Sequence, residues 1–153
     1  MSYETVAHED SRPRAVRPVG GSVDVCFAAV PEAAPAARSA VVDALKGHVD
    51  GRVLADAELL VSELVTNSVQ HAGLTAGDLV RVAAAVGDGV VRLEVDNPGS
   101  TGTIAAREPD LKGGGFGLVL VEARAHAWGV SRDDHTRVWA ELVWSPATGA
   151  LQA

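Results

Sequence analysis

Residues 79–96 constrain the fold more than any other stretch of the chain. Leu79 to Val86 and Val90 to about Asp96 are two strand-like runs that flank Gly87-Asp88-Gly89. That layout predicts a β-hairpin, and a hairpin commits this part of the chain to antiparallel pairing.

Immediately upstream, Leu54 to Ala72 carries the strongest helical pattern. Leu60, Val61, Leu64, Val65 and Ser68 fall on one side at helical spacing, and Gly73 offers a C-terminal stop. Val23, Val25 and Phe27 alternate with polar or small residues and read as a strand. Pro31 and Pro35 suit the start of a helix over Ala36 to about Val49, with a turn at Asp50-Gly51. Leu118 to about Trp128 reads as a further helix with a glycine-rich entrance, followed by strands over Val130–Arg132 and Thr136–Val143. Between them, Pro98 to Gly115 has little periodicity; so long a stretch in a compact domain reads as a functional lid. The order is strand, two helices, strand pair, lid, helix, strand pair. Helices and antiparallel strands are partly segregated, which points to a two-layer α+β sandwich.

A chain of 153 residues with 47% hydrophobic content can bury one substantial core, and with 4% aromatics that core must be mostly Val, Leu and Ala. The net charge of -7 argues against a nucleic-acid surface, which needs clustered Lys and Arg. It is compatible with a bound triphosphate, which local backbone donors and one metal ion can hold. Cys26 is the single cysteine, so no intrachain disulfide forms, and its apolar alternating surroundings predict a buried structural thiol. No zinc-ligand spacing, signal peptide or membrane span is evident, so a cytoplasmic location is expected. Residues 1–20 read as a disordered arm, 21–144 as the domain and 145–153 as a flexible tail.

Three motifs carry candidate chemistry. In Ser62-Glu63-Leu64-Val65-Thr66-Asn67-Ser68, Glu63 and Asn67 are one helical turn apart, on a face away from the apolar stripe. A carboxylate beside an amide oxygen offers a proton acceptor and a hard Mg²⁺ ligand in one place. Alone, the pair also fits a solvated helix face. Second, Gly113-Gly114-Gly115-Phe116-Gly117-Leu118 stands at a helix entrance, where exposed N–H groups and the helix dipole suit an anion. It lacks the Gly-Lys-Ser/Thr of a Walker A loop, and alone it also fits a flexible loop. Third, Val91, Leu93, Val95 and Asn97 share parity, so Asn97 should face the interior at a strand end beside Pro98-Gly99, whereas Asp96 should face out with Arg92 and Glu94. Asn97 there could read the edge of a base, or bond its own backbone in an Asx turn.

In this order and separation, the motifs resemble those of the GHKL ATPase superfamily. The stretch Glu63 to Ala72 is similar to its N box, Asn97-Pro98-Gly99 to its Asp-x-Gly G1 box, and Gly115-Phe116-Gly117-Leu118-Val119-Leu120-Val121 to its G2 box. The resemblance covers roughly residues 21 to 144. It implies a Bergerat-type sandwich whose sheet is mixed but mostly antiparallel, with helices on one face. It implies ATP and Mg²⁺ as cofactors, Asn67 as the metal ligand, and Thr136 beside the adenine. It also implies nucleotide contacts from Asn97 or its neighbour Asp96, from Gly99, and from Gly113, Gly114, Gly115, Phe116, Gly117 and Leu118. One departure stands out: Asn97 occupies the position of the family's Asp. Asp96 could replace that carboxylate only if the strand bulges.

The Ser-Glu-Leu-Val-Thr-Asn run and small size most resemble the anti-sigma-factor serine/threonine kinases of actinobacteria, in which the position of Glu63 is the proposed general base. Two functions follow as expectations. One is a kinase that phosphorylates an anti-sigma-factor antagonist. The other is a nucleotide-gated switch that sequesters a sigma factor or other partner with little turnover. No nucleic-acid or membrane partner is implied, and a homodimer is left open.

Overall fold

The computed structural model of the chain describes residues 20–71, 74–97, 116–132 and 135–144. The expected arm up to residue 19, the lid, the tail and the site candidates Gly99, Gly113, Gly114 and Gly115 lie outside these residues. The described elements are β1 (Ser22–Ala28), α1 (Ala33–Leu45), α2 (Gly51–His71), β2 (Leu79–Val86), β3 (Val90–Asn97), α3 (Phe116–Arg124), β4 (Ala127–Arg132) and β5 (Thr136–Val143). The strands form one sheet in the order β1-β2-β3-β5-β4. The α+β sandwich read from the element order is the observed architecture, although every described strand pair is antiparallel and none is parallel. Among the described residues no helix is long and apolar enough to cross a membrane.

Local chemistry explains where the helices begin and end. Asp50 Oδ1 accepts a hydrogen bond from the Val53 N–H at 2.8 Å and caps α2. Helix α1 starts three residues before the expected Ala36 because Pro35 is tolerated in a first turn, where its missing N–H is not needed. It stops at Leu45 and not at Val49, since Gly47 turns the chain with φ +86°. The stripe Ala33, Ala37, Val41 and Leu45 packs against α2, whose own stripe of Val53, Ala57, Leu60, Val61, Leu64 and Val65 is buried. Arg38 ties the two helices through Glu58 at 3.7 Å and the Ser62 hydroxyl at 3.3 Å.

The expected last helix is shorter than its sequence pattern suggested. It ends at Arg124, and Ala127 and Trp128 belong to β4, where they pair with Glu141 and Ala140. The apolar spacing that continues through Trp128 reflects burial on a strand; its indole donates to Glu122 at 3.2 Å.

The inner sheet face is laid down in cross-strand rows. Val25, Val82, Val95, Val138 and Val130 form one, and Val23, Ala84, Leu93, Ala140 and Trp128 the next. The helices cover this face; Val82, Ala84, Leu93, Val95, Trp128 and Ala140 are buried, and the valines that β1, β4 and β5 add to these rows are partly so. Cys26 lies on the other face: it shares parity with Ser22 and Asp24 and is exposed, so the expected buried thiol is corrected by strand phase.

Candidate functional site

Strand order and register bring the separate motifs to one end of the sheet. β1 leaves the sheet there at Ala28, β3 at Asn97 and β4 at Arg132, while β2 enters at Leu79 and β5 at Thr136. α2 leads into β2, so its C-terminal half, with Glu63 and Asn67, arrives at this end. α3 leads into β4, whose first residue lies at the opposite end, so α3 runs antiparallel to α2. Arg124, at the end of α3, accordingly bonds Asp56 in the first half of α2 at 2.8 Å. At 1.5 Å per residue, Phe116 is about 12 Å back along α3, toward the candidate site. Phe116, Gly117 and Leu118 therefore open a helix whose N-terminal end faces the region that Asn67 and Asn97 occupy. Glu63 and Asn67 are both half-buried, beside the buried stripe and not within it.

Asn97 and Thr136 are direct partners across β3 and β5. Both are buried, Asn97 at 5% exposure and Thr136 at 9%. Asn97 Oδ1 is a buried acceptor with no hydrogen-bond partner among the described residues. Such an atom is costly unless a ligand donor satisfies it. The Asx-turn alternative would engage that oxygen through the backbone two residues on, at Gly99, which lies outside the described residues.

Asp96 is built into a different structure. The expected solvent-facing carboxylate is 3% exposed. It does lie on the outer face, but two arginines cover it. Arg81 Nη1 donates to Asp96 Oδ2 at 3.0 Å, and Arg137 approaches with Nε at 2.9 Å and Nη2 at 3.1 Å. His135 Nε2 stands 3.7 Å away. The register explains the clustering, since Arg81, Asp96 and Arg137 are direct neighbours in one row across β2, β3 and β5. Pairing is continuous from Val91 to Asp96, so no bulge turns this carboxylate inward.

The network extends over the outer face. Arg81 also forms a two-pronged contact with Asp24, both prongs at 2.8 Å, and Arg92 bonds Glu141 at 2.6 Å. The Arg92 guanidinium stacks 4.9 Å from the Trp139 ring centroid. Hydrogen bonding to Asp24 raises the pKa of Arg81, with the Asp96 charge adding to it; bonding to Asp96 is the main cause that raises Arg137. Strand parity puts Arg92 on this outer face with Glu94 and Asp96, as the sequence indicates, but only strand order and register bring Arg81 and Arg137 beside Asp96. A hollow lined by Ser22, Ala83, Ala85, Arg92 and Glu94 also lies on this face, away from Asn97 and the helices.

Among the described residues, no cluster of three His, Cys, Asp or Glu side chains could hold a metal ion. A Mg²⁺ ion held by one amide oxygen and by phosphate oxygens needs no such cluster. Residues 27–142 match the family model described as the histidine kinase-like ATPase domain. No curated protein matches the chain.

Proposed function

The chain belongs to the histidine kinase-like ATPase domain family, and on that footing we propose that it is a protein serine/threonine kinase of the anti-sigma-factor type, using Mg-ATP to modify an antagonist protein. Domains of this family bind ATP, typically with Mg²⁺. The observation that carries the reading is the buried Asn97 Oδ1, without a hydrogen-bond partner among the described residues, opposite the buried Thr136. An acceptor of this kind fits the exocyclic amino group of adenine. In this reading Asn67 holds the metal ion, and Gly99 and residues 113–118 contact the nucleotide, the N–H groups at the start of α3 facing its phosphates. Bound Mg-ATP supplies the transferable phosphoryl group. Glu63, one turn before Asn67, takes the proton from the partner's hydroxyl.

A second reading is a nucleotide-gated switch that holds a sigma factor and turns over little. The neutral amide at position 97 favours it, because a carboxylate would bind the base more strongly. Glu63→Gln separates the two readings. It keeps the side chain's size but removes its basicity, so ATP affinity by calorimetry should hold. Phosphotransfer to a serine-bearing partner should fall by about 100- to 10,000-fold, the usual share of a general base. Wild-type transfer rates in the variant would remove Glu63 from the chemistry. ATP-dependent sigma-factor affinity without phosphorylation of any antagonist would favour the switch.

A further inference from the structure

Base recognition at this site falls on an amide with no carboxylate beside it on the inner face among the described residues. Asp96, next in the chain, is held on the opposite sheet face by Arg81 and Arg137, and the continuous register keeps it there. On the inner face, no hydrogen bond to a described residue fixes the Asn97 side-chain oxygen. A carboxylate can only accept hydrogen bonds at neutral pH, so opposite the C6 position of a purine it selects an amino donor over a 6-oxo acceptor. An amide carries an acceptor and a donor side by side and exchanges them by turning over about its last side-chain bond. Adenine presents an amino donor at C6 and an acceptor at N1. The 6-oxo purines, hypoxanthine and guanine, present the reverse: an acceptor at C6 and an N1–H donor. One orientation of the amide complements adenine, and the other complements a 6-oxo purine.

We propose that Asn97 makes this a purine-tolerant nucleotide site, one that takes 6-oxo purine triphosphates alongside ATP. The inference rests on the nucleotide reading above and adds a substrate class to it. Either orientation leaves no buried polar group of Asn97 facing its like, which is the usual source of strong base discrimination. Inosine triphosphate (ITP) is the cleaner probe, since it differs from ATP only at the reading edge; GTP adds a 2-amino group.

The test is calorimetric binding of ATP, ITP and GTP in Mg²⁺ buffer to the full chain, its Asn97→Asp variant and its Asn97→Ser variant, with folding checked by circular dichroism. In the wild type, ITP should bind within about tenfold of ATP. Asn97→Asp should lose ITP by about 100-fold relative to ATP, because a carboxylate then faces the 6-oxo group. Asn97→Ser also both donates and accepts, so it should weaken both ligands and keep their ratio, which guards against misfolding of the buried-acid variant. If the wild type binds ATP but takes ITP more than tenfold less well, the proposal is overturned while the ATP site stands. An unchanged ITP/ATP ratio in Asn97→Asp also overturns it, since position 97 then reads no base. If no purine nucleotide binds, the inference and the nucleotide reading fail together.

Discussion

Removing the Asp96 carboxylate should destabilise the domain out of proportion to its single charge. Asp96→Ala deletes three contacts of 3.0, 2.9 and 3.1 Å to two guanidinium groups. Stripping one partner from a fully buried ion pair costs roughly 3–5 kcal/mol. Here the acid's side chain is 4% exposed but the arginines are 28% and 31% exposed. Water can rehydrate them, Arg81 keeps Asp24 at 2.8 Å, and Arg137 keeps Glu94 at 3.9 Å. The expected loss is therefore about 2–3 kcal/mol, below the fully buried case. Urea denaturation with an unchanged m value would measure it. The control is Asp24→Ala, whose side chain is 60% exposed and which should cost about 0–1 kcal/mol. If the two variants are equally stable, the buried-rivet account of Asp96 is wrong. The pH dependence has a definite sign. The pKa values of Arg81 and Arg137 are raised in the fold, so the stability they contribute is complete below the ordinary arginine range and is lost only on passing above it. The Asp96→Ala deficit should therefore be the same at roughly pH 7 and pH 10, a window wholly below that range.

Other substitutions test the packing and the metal site. A Cβ at Gly129 would meet Trp139 Nε1 at 2.7 Å and ring carbons at 2.8 and 2.9 Å. Gly129→Ala should displace the ring from Arg92, changing tryptophan fluorescence and costing about 1–3 kcal/mol in denaturant. A Cβ at Gly21 would run into the Ala44 backbone carbonyl, which cannot swing aside as a ring can, so Gly21→Ala should cost about 3 kcal/mol or more, read as a lower melting temperature. Asn67→Ala should leave stability nearly unchanged and weaken ATP binding by roughly 10- to 100-fold in Mg²⁺ buffer but not in EDTA; equal affinities in Mg²⁺ buffer would remove Asn67 from the metal site.

What was legible in the sequence tracks how many independent signals each element carried. β2 and β5 match their expected bounds, and β3 runs one residue past its own; period-two alternation marks these strands, and the Gly87-Asp88-Gly89 turn fixes where β2 ends and β3 begins. The stripe from Leu60 to Ser68 is buried as its spacing required. Asn97 faces inward for the same parity reason that puts Cys26 outside; there, apolar neighbours had outweighed phase. Asp96 shows the limit of parity, which names a face but not what covers it. Its burial depends on Arg81 and Arg137, which are remote in sequence and become neighbours only through strand order. The C-terminal end of α3 was misjudged because a buried Trp128 satisfies a helical stripe and a strand equally well.

The pairing of β3 with β5 also has a consequence in time. β2 with β3, and β4 with β5, are separated by only a few residues in sequence, and such hairpins close in about 1–10 μs. β3 and β5 meet only when these two units dock across the long stretch between residues 97 and 136, a non-local step that is intrinsically slower. That docking aligns Asn97 with Thr136, and Asp96 with Arg137. A chain emerging from denaturant thus acquires local β-structure before Asn97 and Thr136 stand opposite each other, and the edge proposed to read a base forms only with that docking.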